Sequence, residues 1–131
     1  MKLEKSLLLL LFAVLALALS GCATVPTIQA DVTPGGAGLA MKASDFRFDP
    51  NTIAVHGTGT ISLTITNTSG TPHNITVNDP MGKAIDSVEI PPNATLTTQV
   101  TFSAPGDYYF YCNHPLHASF GMKGHFIVSG S

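Results

Sequence analysis

Tryptophan is absent from this chain of 131 residues, cysteine occurs twice and histidine five times. Charged residues make up 11% of the chain, and the net charge is −2 with histidine neutral. Each shortage excludes something. Two cysteines, Cys22 and Cys112, are too few for a disulfide framework. A slightly acidic chain without a basic patch is not built to hold nucleic acid. No nucleophile–base pair and no carboxylate cluster points to catalysis. The length suits one domain and leaves little room for a second. What the chain has instead is threonine, glycine and proline, the composition of a small β-rich domain with many turns.

The start reads MKLEKSLLLLLFAVLALALSGC. Lys2 and Lys5 form a basic leader, and Leu7 to Leu19 an unbroken apolar run that is short for a membrane span and ends in small residues. This is the pattern of a signal peptide over residues 1–21. The junction Leu19-Ser20-Gly21-Cys22 resembles the lipobox of bacterial lipoproteins, whose cysteine receives a diacylglycerol and becomes the first residue of the mature protein. The resemblance implies an exported protein, anchored through lipid on Cys22 at the periplasmic or extracellular face of a membrane. Residues 22–40 are rich in small residues, proline and glycine, and read as a flexible tether. The folded domain is expected over 41–131.

Strict alternation marks that domain as β. Ile61, Leu63 and Ile65 alternate with Ser62, Thr64 and Thr66, while Leu96, Thr98, Val100 and Phe102 alternate with Thr95, Thr97, Gln99 and Thr101. Phe46 and Phe48 are placed on one face, and Ile53 and Val55 on a further strand. Turn residues separate these runs, at Asp49-Pro50-Asn51, Gly57-Thr58-Gly59, Thr68-Ser69-Gly70, Pro91-Pro92-Asn93 and Ala104-Pro105-Gly106. The pattern predicts an all-β, Greek-key sandwich or barrel. Residues 79–87 read as a loop. Tyr108, Phe110 and Cys112 share the inward face of a late strand, with Tyr109 and Tyr111 on the other.

The scarce residues gather directly after that strand, in CNHPLHASFGM, residues 112–122. A thiolate and a thioether are soft ligands and imidazole is intermediate; two histidines and a cysteine with a weak axial methionine make the blue-copper set. The loop supplies Cys112, His117 and Met122. The remaining histidine is His73, which opens a strand in which Ile75 and Val77 alternate with Asn74 and Thr76. Ligands fixed on separate segments of a sheet make a rigid site, as electron transfer requires. His114 is a second loop histidine, two residues after Cys112. His56 and His125 read as ordinary polar residues.

Together these stretches resemble the cupredoxins, small type 1 copper proteins. FRFDPNTIAVHGTGTISLTITN is similar to the family's opening strands, SGTPHNITV to the segment with its first histidine ligand, and APGDYYFYCNHPLHASFGMKGHFIV to its closing hairpin and ligand loop. The Cys-x4-His-x4-Met spacing is like that of the rusticyanin and sulfocyanin branch, with Pro115-Leu116 where that branch often has Pro-Gly. The resemblance implies one copper held by His73, Cys112 and His117 with Met122 as the weak axial ligand, and leaves His114 outside the set. It also implies that Asn74 ties the two ligand segments together by hydrogen bonds.

The implied function is one-electron transport between redox partner proteins such as cytochromes or oxidases, by a monomer that is not an enzyme. Few charges and an apolar loop of Pro115, Leu116, Ala118 and Phe120 favour weak, short-lived docking over electrostatic steering. The alternative is a copper carrier that delivers metal to an oxidase. A binuclear centre would need a second loop cysteine, and a multicopper oxidase would flank its cysteine with histidines where Tyr111 and Asn113 stand. Asn67, Asn74 and Asn93 each open a glycosylation-type triplet, a weak pattern with no expected use in a lipoprotein of bacterial type.

Overall fold

The computed structural model describes residues 27–130; the expected signal peptide and Cys22 lie outside them. The described residues contain ten strands and no helix. Six form one sheet: β1 (Ala30–Val32), β4 (Thr52–Val55), β10 (Lys123–Val128), β9 (Gly106–Tyr111), β6 (His73–Asn78) and β7 (Ala84–Ile90), in that spatial order. Four form the other: β3 (Arg47–Asp49), β2 (Leu39–Ser44), β5 (Gly59–Asn67) and β8 (Thr95–Phe102). Parallel pairs (β1–β4, β4–β10, β2–β5) mix with antiparallel ones in both sheets. This is the β-sandwich that the alternation predicts.

The core lies between the sheets. Ile61, Leu63 and Ile65 of β5 and Val100 and Phe102 of β8 point inward, toward Tyr108 and Phe110 of β9 and Phe126 of β10. The aromatic rings meet edge-on or tilted, with Phe110 and Phe126 centroids 4.7 Å apart and Phe102 and Tyr108 4.9 Å apart. The Tyr108 hydroxyl donates to the Ala104 carbonyl at 2.9 Å, which ties the start of β9 to the turn before it. Gly124 is dictated by closeness. A Cβ there would stand 2.1 Å from the Asn51 carbonyl oxygen and 2.4 Å from the Phe110 ring. Outward threonines pair across β5 and β8, Thr60 with Thr101, Thr64 with Thr97 and Thr66 with Thr95, each at 2.9 Å.

Three expectations need correction. The tether does not run to residue 40: Ala30–Val32 pair with Ile53 and Val55 of β4, and Val32 and Leu39 are buried. A three-residue strand held by a parallel neighbour leaves no alternation long enough to read. Residues 79–87 are not all loop: the turn is closed by the Lys83 carbonyl, which accepts from the Asp79 amide, and β7 begins at Ala84. β7 is an edge strand whose first half is exposed on both faces, so it lacks the apolar period. Phe46 does not share the buried face of Phe48. It stands in the β2–β3 turn with φ of 61° and is 43% exposed, while Phe48 is buried.

Candidate metal centre

His73 opens β6, and β6 lies between β9 and β7. All of His73 to Val77 are buried, because this strand is covered on both faces. Cys112 follows β9, and Tyr111, its neighbour, pairs with Thr76 of β6. The strand pairing therefore brings His73 and Cys112 to the same end of the sandwich. From Cys112 the chain makes a hydrogen-bonded turn. The His117 amide donates to the His114 carbonyl at 3.2 Å, the Met122 amide to the His117 carbonyl at 3.0 Å, and the Cys112 amide to the Met122 carbonyl at 3.0 Å. Gly121, with φ of 110°, lets the loop turn back toward β10.

The donors converge. His73 Nδ1 and His117 Nδ1 are 3.2 Å apart, Cys112 Sγ is 3.4 Å from His117 Nδ1, and all three atoms lie within 4.8 Å of one another. Atoms that bind one ion at about 2.0–2.3 Å stand roughly 3–4 Å from each other, so the trio fits a single trigonal metal. Met122 is fully buried, and its backbone is bonded to both Cys112 and His117. One thiol, two imidazoles and a thioether match copper better than a hard cation.

The protonation pattern suits the same conclusion. The Ser69 hydroxyl has one proton, directed to Asn67 Oδ1 at 3.0 Å or to the Thr71 carbonyl at 3.1 Å. Its oxygen also stands 2.9 Å from His73 Nε2, so the ring is held by that nitrogen and turns Nδ1 toward the trio. Burial first, and then the neighbouring His117, push the His73 imidazole below the ordinary histidine value, against an upward pull from the Asp45 carboxylate. The ring stays neutral near pH 7, the form that binds metal. Beside it, the Asn74 backbone amide donates to Cys112 Sγ at 3.3 Å, a bond that holds β6 to the loop.

Asn74 ties the two segments through its backbone, and its side chain turns to β7. Its Nδ2 donates to Glu89 Oε1 at 2.9 Å and to the Ser87 hydroxyl at 3.3 Å, both on β7, and its Oδ1 accepts from the Thr76 hydroxyl. Asn74 meets the cysteine segment through its backbone alone, because the side chain of a strand residue next to an inward ligand points to the opposite face. His114 stands outside the trio, with Nε2 2.9 Å from Glu89 Oε2. His56 pairs with Asp31 and His125 with Asp107, each at 2.8 Å. Asn67 and Asn74 are buried, so neither offers its amide for glycosylation in the folded state.

Sequence reasoning missed two residues that shape the site. Phe46 packs edge-on against His117, with centroids 5.3 Å apart, and leans on Phe120 at 5.1 Å. Ser69 orients His73. Phe46 looked like core because it alternates with Phe48, and nothing local to Ser69 points to a ring four residues away. Around half-buried His117, exposed Leu116 and Phe120 join Phe46 in an apolar rim. Phe46 and Leu116 both have left-handed backbones, with φ of 61° and 69°. Bulky residues rarely adopt this conformation, and strain of this kind gathers at functional sites.

The chain resembles known proteins in this same region. Residues 37–129 match the copper binding proteins of the plastocyanin/azurin family. Chloroplastic plastocyanin of Oryza sativa subsp. indica is 31% identical over 121 residues, covering 84% of this chain and 76% of the rice protein. That of Hordeum vulgare is 35% identical over 88 residues, covering 63% of this chain and 54% of the barley protein. Among solved structures, dithionite-reduced auracyanin from Roseiflexus castenholzii superposes with a TM-score of 0.61 at 21% identity, covering 79% of this chain and 99% of that one. Auracyanin A, a blue copper protein of Chloroflexus aurantiacus, gives 0.60 at 20% identity, covering 76% and 99%. At those identities the structural likeness speaks for the fold.

Proposed function

The chain belongs to the plastocyanin/azurin family of copper binding proteins, and from that premise we propose that it is a type 1 copper protein that carries single electrons between partner proteins outside the cytoplasmic membrane. Copper would be held by His73, Cys112 and His117, with the thioether of buried Met122 as a weaker fourth donor. The observation that supports this most is the meeting of His73 Nδ1, His117 Nδ1 and Cys112 Sγ within 4.8 Å. When bound, copper supplies the one-electron Cu(I)/Cu(II) couple. The residues do the rest. Buried His73 and Cys112 exclude water, and the Asn74 backbone amide gives the sulfur a hydrogen bond that orients it. β6 and the hydrogen-bonded loop keep the donors from relaxing between oxidation states.

His117 is the ligand nearest the surface, and its apolar rim of Leu116, Phe120 and Phe46 is the face where partners dock. Such a surface favours short contacts, which suit a carrier that must leave after each transfer. Full burial of Cys112 and His73 weighs against copper delivery to an oxidase, since a delivery site needs ligands that an acceptor can reach. The precursor is exported by residues 1–21 and anchored by lipid on Cys22, and the stretch up to Ala30 is the tether.

Visible absorption and electron paramagnetic resonance of the copper-loaded protein test the centre. We expect one copper per chain and an intense thiolate-to-copper band in the oxidised form. Copper uptake without that band would refute the type 1 assignment. Mass spectrometry of the mature N-terminus tests the anchor: an unmodified Cys22, or cleavage elsewhere, would refute it.

A further inference from the structure

Three histidines among the described residues pair closely with surface carboxylates: His56 with Asp31, His125 with Asp107 and His114 with Glu89, at 2.8, 2.8 and 2.9 Å. The last pair differs from the others in what its carboxylate also holds. Glu89 Oε2 faces His114 Nε2, and Glu89 Oε1 accepts from the buried Asn74 Nδ2 at 2.9 Å. Each branch continues to a proposed copper ligand. The Asn74 backbone N–H donates to Cys112 Sγ, and the His114 carbonyl accepts from the His117 backbone N–H.

We propose that Glu89 is a positioning residue that clasps the ligand loop to β6 and β7, using one carboxylate oxygen for the Cys112 side and the other for the His117 side. The proposal rests on the reading that Cys112 and His117 bind copper. Glu89 lies directly across from Asn74 in the β6–β7 pairing, so the sheet aims its carboxylate at that amide. Asn74 is 1% exposed and its Oδ1 already accepts from Thr76, which leaves its rotamer little freedom. β7 is otherwise an edge strand that contributes no ligand. The clasp gives it a part in the centre. It also accounts for a second histidine so close to Cys112 that lies outside the donor trio: the ring is anchored to β7, and its backbone holds His117.

The clasp is half in solvent, with side-chain exposures of 63% for Glu89 and 25% for His114. Its effect is therefore smaller than that of a buried partner of a ligand. Glu89→Ala, His114→Ala and the double variant are loaded with copper, and metal loss to a chelator is timed. Each single change should speed loss about threefold to tenfold, and the double variant no more than the larger single effect. The visible band should keep its position, since no donor is altered. Glu89→Gln keeps an acceptor for Asn74 and should recover part of the loss. In copper-free protein, hydrogen exchange should quicken at the Asn74, Cys112 and His117 amides in Glu89→Ala, and not in Asp107→Ala, which breaks the equivalent pair at His125.

Unchanged loss rates and unchanged exchange in Glu89→Ala would overturn the clasp, as would equal quickening in Asp107→Ala or fully additive effects in the double variant. If the wild type takes up no copper, the copper reading fails, and the exchange arm still decides whether Glu89 holds the loop.

Discussion

The two histidines of the metal centre come from different kinds of structure. His73 opens a strand with neighbours on both sides, is sealed from solvent, and has its far nitrogen fixed by Ser69. His117 stands in a turn, half-buried, between the left-handed Leu116 and the exposed Phe120, with an aromatic ring from another turn against its edge. One arm is rigid because the sheet is rigid. The other is held by a short circuit of loop hydrogen bonds, by the Phe46 ring, and through its loop by the His114–Glu89 pair. The difference suits the division of labour in the proposed carrier: His73 would set geometry in a dry interior, and His117 would open the centre to partners.

Cys112 joins the two arms, since it receives the Asn74 amide from β6 and its own amide is held by Met122. Cys112→Ser should have the largest effect. The charge-transfer band should vanish, and the fold should survive, because a hydroxyl is close in size but a poor soft ligand. Circular dichroism and absorption on the same sample check both halves, and a retained band would rule out Cys112 as the sulfur donor.

Removing each histidine in turn tests the contrast between the arms. His117→Gly should lose the native spectrum and regain colour when imidazole is added, because the gap opens toward solvent. His73→Gly should lose it as completely and resist rescue, because its gap is closed over by the sandwich. Equal rescue of both would mean that burial does not separate the arms. A weaker effect is expected from Ser69→Ala, which removes the hydroxyl bonded to the far nitrogen of the His73 ring. Copper affinity by competition should fall about tenfold, in the range usual for partners of metal ligands.

The smallest effects concern strain. Leu116→Gly removes a left-handed backbone penalty of about 1 kcal/mol but adds flexibility to the unfolded chain. Copper-free protein should therefore gain no more than about 1 kcal/mol in denaturant unfolding. Thr64→Ala, on the paired-threonine face away from the loop, should change stability by about 0.5 kcal/mol or less and leave the spectrum untouched. A larger loss at Thr64 than at any loop position would reverse the comparison.

Much of this molecule was legible before folding. The alternation in β5, β8 and β9 named the inward residues, and the order Cys112, His117, Met122 announced a soft-metal loop. β1 and β7 were missed for a physical reason: one is three residues long and the other is an edge strand with little to bury. Phe46 was misread because its alternation with Phe48 is real, while the turn that swings its ring outward depends on a backbone conformation that its residue type does not advertise.

Period and ligand chemistry belong to the local chain. An apolar residue at every second position has one way to be buried in a sheet, and a thiol, an imidazole and a thioether favour the same metal wherever they stand. The amino-acid sequence alone therefore determined the β architecture and the donor types. Distance between remote residues is a property of pairing. His73 and His117 are separated by 44 positions, and only the β6–β9 pairing and the return of the loop bring their nitrogens to 3.2 Å. The same holds for Glu89 between Asn74 and His114, 15 and 25 positions away. It is an ordinary polar residue in its own stretch, and acquires a role because strand pairing and the loop carry its partners into hydrogen-bonding range.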